Sequence, residues 1–564
     1  MKRTQAIIWT GVVALTTLEY AHAQLAEPGI CEDLQGLEVP AVAIRHPVGP
    51  VSFDSAVSVP AQPPTTAENG DIVLEIAAHC RVQGAIAPVD GDAPPINFNI
   101  NLPFEWNGKL LQSGGGGLGG NVNTSPGRKA SGWFDPQPVT DTYPLTEGYM
   151  TFGGDEGHQG GAVEFIYNEE ALRNWGYASF IKVRDVAVWL AEEAYGREPE
   201  RVYFSGESAG GREALMMSQR YPDAYDGIIA VTPVLSWNYT HIADNNIRSK
   251  LIDGWLDSDD IAFIAERTRE FCDADDGLED GVLARYMDCR MDSQTLRCPS
   301  GAEGEGCLSD EQIAAVDAIR YPWSMSVTLA NDVVRFPGYG VTGDEDRDEN
   351  QWGFYMVGST PPTYPLPPGR GFQSGNGAIL NFAGVWIRHA IAQQDDFEPH
   401  GFYPPAFADR IQYLSNLFDA TDPNLSGLRD SGGKLLILQQ SADNAVSTTM
   451  LAEYYRSIIG RMGSDAAGDV VRLYIGPGGT HNGSGVAQVD MLGLLEAWVE
   501  DGEAPPDEIP AHLFDRSTHE RLRSMVACVY PAYARYGGNG DVNESSSYSC
   551  TDRHDPLEYR TVTQ

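Results

Sequence analysis

Positive charge is scarce in this sequence: 38 Lys and Arg stand against 79 Asp and Glu, a formal charge of -41. So acidic a surface repels nucleic acid and anionic membranes, and neither is expected as a partner. The chain has no C-x-x-C pair and no cysteine–histidine cluster, which removes the common zinc folds. Past the first two dozen residues no apolar run is long enough to cross a bilayer.

The opening stretch, MKRTQAIIWTGVVALTTLEYAHAQ, has a basic start and an apolar run cut short by Thr16, Thr17 and Glu19, and Ala21-His22-Ala23 stands before Gln24. It reads as a cleaved secretory signal over 1–23, and the mature chain is expected to be secreted or periplasmic. Eight cysteines, an even number, suit an oxidising compartment. The shortest loops pair Cys272 with Cys289, Cys298 with Cys307 and Cys528 with Cys550, leaving Cys31 for Cys80; spacing alone leaves other pairings open.

The centre of the chain is RVYFSGESAGGREALMM, from Arg201 to Met217. It reads as an apolar strand, a turn of small residues and a helix, with Ser208 at the apex of Gly206-Glu207-Ser208-Ala209-Gly210. Matches to G-x-S-x-G arise by chance in a chain with 61 glycines, but here a strand precedes the motif and a helix follows it, the context a nucleophile elbow requires. The amide of Ala209 then sits at the positive end of the new helix, where an oxyanion forms. Upstream, the strand-like Leu110-Leu111-Gln112-Ser113 runs into Gly114-Gly115-Gly116-Gly117, and the amides of Gly115 or Gly116 are the second expected oxyanion donor.

Two further residues complete the set. Asp443 lies just beyond the apolar run starting at Lys434, and His481 lies in a glycine-lined loop after the run 470–476. The chain order Ser, Asp, His is that of an α/β-hydrolase triad. His158 precedes the serine and is read as packing the loop GDEGH. A helix is expected from Tyr177 to Tyr195, and another from Val486 to Val499. Short alternating runs before residue 100 suggest edge strands. Between 236 and 431 the β/α rhythm breaks, aromatics and four cysteines accumulate, and an inserted lid is expected. The layout is an α/β-hydrolase core in two parts, 24–235 and 432–564, around a lid over 236–431. Within the lid, carboxylates three and four apart at Asp273, Asp276 and Asp280 alternate with glycines, a pattern suited either to a hard cation or to a solvated acidic turn.

Taken together, these stretches resemble the tannase and feruloyl esterase family, which includes mono(2-hydroxyethyl) terephthalate hydrolases. The likeness rests on WNGKLLQ with its four glycines, GDEGH, the elbow continuing Gly210-Gly211-Arg212, YPDAYDGI, the CD-x-x-DG-x-x-DG run from Cys272, Ala442-Asp443, and the closing VYPAYARY. It implies ester hydrolysis through Ser208, Asp443 and His481. It also implies a structural calcium ion on Asp273, Asp276 and Asp280 with the backbone oxygens of Leu278 and Val282, and the four cysteine pairs named above. The expected substrate is a small ester of an aromatic acid: feruloyl, galloyl or a terephthalate monoester. Trp352, Phe354, Tyr355, Phe382 and Trp386 are candidate clamps for the acid, or equally lid core, and Arg388 is a candidate for a substrate carboxylate. A carboxylesterase of broader or aliphatic specificity and a secreted serine peptidase would use the same triad. A non-catalytic binding protein on this fold would be expected to have lost triad members. One departure stands out: family members carry cysteines before the nucleophile and after the histidine, and here those positions are Glu207 and Asn482. A hydrogen bond between those two side chains, or a packing contact nearby, is the expected replacement for the staple.

Overall fold

The computed structural model describes residues 31–551 apart from 67–71, 130–140, 161–162, 290, 300–305, 348–350, 368–371, 482, 484 and 516. The expected signal over 1–23 and Asn482, and with it the proposed contact to Glu207, lie outside the described residues.

Among the described residues the main sheet has eleven strands and organises the chain. In chain order these are β1 (Val51–Val59), β2 (His79–Ile86), β3 (Ile96–Pro103), β4 (Lys109–Ser113), β5 (Met150–Gly154), β6 (Arg201–Glu207), β7 (Gly227–Val231), β8 (Lys434–Gln440), β9 (Val471–Gly476), β10 (Glu508–Phe514) and β11 (Arg521–Val529). Their spatial order is β1-β2-β3-β5-β4-β6-β7-β8-β9-β11-β10. The six strands from β5 to β9 run parallel, and antiparallel strands extend the sheet at both edges. Because side chains alternate along a strand, the sheet buries apolar residues on both faces. Leu110, Phe204, Ile228 and Ile437 pack into one layer, and Leu111, Tyr203, Ile229 and Leu436 into the other.

Helices cover this sheet. α1 (Ser179–Tyr195) ends at Gly196 in the left-handed conformation, and α2 (Ala209–Arg220) follows β6 directly. The α-helix expected from Tyr177 starts two residues later, after a wide π turn over Asn174–Ala178. The cause is Arg212, whose guanidinium donates to the carbonyls of Gly176 and Trp175 at 2.9 and 3.2 Å and draws them out of the helical ladder.

Between β7 and β8 no strand of this sheet is contributed by the described residues. That stretch supplies α3 (Trp237–Leu251), α4 (Ser258–Cys272), α5 (Asp310–Arg320), α6 (Ala378–Val385) and α7 (Ala408–Phe418), with α3 packed on α5, α6 and α7. After β8 comes α8 (Thr448–Met462), and after β9 comes α9 (Met491–Glu496). The helix expected from Val486 starts only at Met491, because Gln488 is bridged to His512 of β10 and the Asp490 side chain caps the first turn.

All eight cysteines are paired, as Cys31–Cys80, Cys272–Cys289, Cys298–Cys307 and Cys528–Cys550. No helix among the described residues is long and apolar enough to cross a membrane.

Candidate active site

β6 delivers Ser208 into a turn that most residues avoid. Its backbone sits at φ 60°, ψ -118°, a strained conformation for a side chain with a Cβ. Hydrogen bonds fix it: the Ser208 amide donates to Val231 O at 3.0 Å, and Val234 N and Arg212 N donate back to Ser208 O. Gly206 is required because a Cβ there would lie 2.1 Å from Gly210 O, and Gly210 because a Cβ would meet Gly115 O at 2.6 Å. The elbow and the glycine loop after β4 are thus pressed together by the absence of side chains.

Asp443 and His481 come from the loops after β8 and β9. These loops are laced to each other by Ser441 N to Gly476 O, Ala442 N to Gly479 O and Gly478 N to the Ser441 hydroxyl. Asp443 is fully buried; its Oδ1 accepts from the amides of Ala445 and Val446, each at 2.8 Å. Its Oδ2 lies 2.9 Å from His481 Nδ1, and His481 Nε2 lies 3.0 Å from Ser208 Oγ. Burial alone would lower the pKa of the imidazole, but the charge and hydrogen bond of Asp443, with the charge of Glu207, outweigh it and hold the group above its ordinary value. The imidazole and the Tyr355 ring stand nearly perpendicular, with centroids 5.4 Å apart.

In the glycine loop the Gly115 N–H donates to the carboxyl Oε2 of buried Glu213 at 2.8 Å, so that amide is engaged, while Gly116 lines the cavity beside Ser208. Glu213 lies five residues after Ser208, and the motif gives no sign of this contact. His158 packs as read: Nε2 lies 2.6 Å from Leu118 O and the ring stacks on Phe165.

Above Ser208 opens a cavity of about 1180 Å³. Phe354, Tyr355 and Phe382 line it as anticipated, joined by Phe372, Asn376, Asn381 and Arg128, which no sequence pattern marked. Trp352 and Trp386 are core instead, each 1 % exposed, with their indole N–H groups on Asn444 and Asn238. Arg388 is not available to substrate either: it is buried and donates to the carbonyls of Phe397, Pro367 and Leu366.

The acidic loop after α4 is tied by Cys272–Cys289. Asp273 Oδ2 accepts from Gly281 N, Asp276 from Leu278 N and Ala284 N, and Asp280 from Val282 N while also pairing with Arg523. The Val282 carbonyl accepts from Ala284 N. Asp273 Oδ1 is buried without a partner, and burial, with some help from Asp280 and Asp273, pushes the Asp276 carboxyl up to about 7. An orphaned carboxylate oxygen beside a second buried acid suits a hard cation. Side chains alone do not form a cage, since no three His, Cys, Asp or Glu among the described residues are grouped to hold a metal, and a bound ion would need backbone oxygens as well.

Comparison with known proteins agrees with this layout. The model of the family described as tannase and feruloyl esterase matches residues 80–551. An uncharacterized esterase of Agrobacterium fabrum is 33% identical over 545 residues, covering 93% of both chains. The mono(2-hydroxyethyl) terephthalate hydrolase of Piscinibacter sakaiensis is 29% identical over 521 residues and 84% of both. The crystal structure of feruloyl esterase B from Aspergillus oryzae superposes with a TM-score of 0.73 at 20% identity, covering 93% of this chain and all of that one, and shares its fold. The chain therefore belongs to the tannase and feruloyl esterase family and is a carboxylic ester hydrolase with an α/β-hydrolase fold.

Proposed function

We propose that this protein hydrolyses esters of aromatic carboxylic acids through Ser208, His481 and Asp443. The observation that carries the reading is the unbroken hydrogen-bond chain from Asp443 to Ser208 Oγ, opening into a cavity walled by aromatic rings. His481 Nε2 removes the Ser208 proton as Oγ attacks the ester carbonyl. The amides of Ala209 and Gly116 hold the oxyanion, each contributing on the order of 3 kcal/mol to the transition state. Collapse transfers the proton from His481 to the departing alcohol, and water then cleaves the acyl-enzyme by the same route. Phe354, Tyr355, Phe372 and Phe382 offer faces and edges to an aromatic acyl group. Arg128 also lines the cavity. Four disulfides suit an oxidising compartment, and we place the mature protein outside the cytoplasm.

A substrate panel tests this: methyl ferulate, methyl gallate, mono(2-hydroxyethyl) terephthalate and a short aliphatic p-nitrophenyl ester. At least one aromatic acid ester is expected to exceed the aliphatic one in kcat/KM by roughly 100-fold, the worth of two well-packed rings. Cleavage of the aliphatic ester alone would overturn the aromatic reading and leave a general carboxylesterase.

We further propose a structural calcium ion in the loop 273–282, held by Asp273 and Asp276 with Asp280 and the carbonyls of Leu278 and Val282. When bound, it would neutralise buried carboxylates and brace the loop, with no part in the ester chemistry. Chelation by EGTA is expected to lower the melting midpoint by roughly 3 °C or more, and excess calcium to restore it. Identical melting curves would remove the ion from the account.

A further inference from the structure

Behind the glycine loop lies a buried charged trio that the ester chemistry does not use. Glu156, Arg212 and Glu213 are 2 %, 0 % and 0 % exposed. Arg212 is pinned by two backbone carbonyls and stacks on Trp175, its guanidinium carbon 4.8 Å from the ring centroid, while Nη2 lies 3.8 Å from Glu213 Oε1. One cation faces two carboxyl groups. Both Glu156 oxygens and Glu213 Oε1 are buried with no donor, and the two carboxyls are within hydrogen-bonding reach of each other. A single proton between them supplies the missing donor and brings the net charge of the trio to zero, the only cheap state for a fully buried cluster.

The position of this pair gives it a role. Glu213 Oε2 holds the Gly115 amide at 2.8 Å. Glu156 presses on the loop from the other side, so closely that a Cβ on Gly115 would lie 1.7 Å from its Oε1, and one on Gly119 2.4 Å from the same atom. Glu156 accepts a left-handed backbone, φ 67°, to reach there. Its turn is anchored through Asp155, whose carboxylate accepts from Asn97, Gly157 and Gln159.

We propose that Glu156 and Glu213 share one proton and act as a positioning pair for the oxyanion loop, clamping Gly115 so that the Gly116 amide faces the reacting carbonyl oxygen. This rests on the reading of Ser208 as nucleophile. Burial, followed by the charge of Glu213, raises the Glu156 carboxyl well above its ordinary value, the direction that favours keeping the shared proton. Glu156 is faced by Glu213 and Arg212 on α2 and by Asp155 in its own turn; Glu213 is faced by Arg212, the Gly115 amide and Glu156; and Glu207 and His481 line the cavity nearby. As pH rises the proton leaves, two adjacent carboxylates repel, the clamp opens, and kcat falls.

The test compares wild type, Glu213→Ala, Glu213→Gln and Ser208→Ala across pH 6 to 10 on the best ester of the panel. Glutamine can accept from Gly115 and donate a permanent N–H to Glu156. Glu213→Ala is expected to lose roughly 100-fold in kcat with little change in KM, the loss of one oriented oxyanion donor. Glu213→Gln is expected to recover most of that and to lack the alkaline fall of the wild type. Should Glu213→Ala fail to fold, the pH profiles of wild type and Glu213→Gln decide alone. Glu213→Gln as impaired as Glu213→Ala, or an alkaline limb identical to wild type, overturns the shared proton. Hydrolysis surviving in Ser208→Ala would instead overturn the nucleophile, a separate failure.

Discussion

Ser208→Ala is expected to reduce kcat by about a million-fold while leaving the melting temperature and the affinity for substrate nearly unchanged. The size follows from what the serine shares. Its Oγ is hydrogen-bonded to His481 Nε2 at 3.0 Å, and with the nucleophile gone His481 and Asp443 have nothing to activate. The fold has little stake in the hydroxyl: the turn is held by backbone bonds to Val231, Val234 and Arg212, and alanine carries the same Cβ at φ 60° as serine. Residual turnover would come from the oxyanion donors and binding alone, about 10³ to 10⁴ above water. A steady-state assay of purified wild type and variant, with a thermal melt of each, checks this. Activity above 1% of wild type in a folded variant would remove Ser208 from the mechanism.

Local order was legible in the sequence where one physical cause dominates. The elbow, the glycine loop and the strands leading into both are written in short apolar or aromatic runs followed by small residues, because sterics fix them within a few positions. What escaped detection depends on contacts between distant segments. That Gly115 spends its amide on Glu213 follows from Gly206 and Gly210 letting two loops approach, which no spacing reveals. Trp352 and Trp386 differ from Phe354 and Phe382 only in which way the lid turns them, and the helical pattern of aromatics is the same for core and cavity. Arg128 lines the cavity from a segment with no periodic pattern at all. The π turn at Asn174–Ala178 owes its shape to Arg212, whose sequence neighbourhood speaks only of α2. The strands β10 and β11, in a charged and proline-bearing stretch, pair mainly with each other and only marginally with β9; the apolar run of β11, Met525 to Val529, is too short to tell a strand from a buried helix.

Asp443→Asn is the second change expected to have a large effect, lowering kcat by about 10⁴. The geometry dictates how. Oδ1 of Asp443 accepts two backbone amides, from Ala445 and Val446, so the asparagine carbonyl must occupy that place and its NH2 must take the place of Oδ2, facing His481 Nδ1. The NH2 donates where the carboxylate accepted, Nδ1 can then only accept, and the ring proton moves to Nε2. That nitrogen faces Ser208 and can no longer take its proton. The isosteric amide keeps both backbone hydrogen bonds, so the fold is retained. A second readout separates this from simple damage. Asp443 provides the largest influences opposing the effect of burial on His481, which is held above the ordinary imidazole value. Since the base must be neutral, kcat rises as pH passes upward through its pKa; without the Asp443 charge that pKa drops, and the acid limb of the residual activity moves to lower pH. Measuring kcat from pH 4 to 9 for both proteins decides the matter. A variant retaining a tenth of the wild-type rate, or one whose acid limb stays in place, would mean that Asp443 does not hold the tautomer of His481.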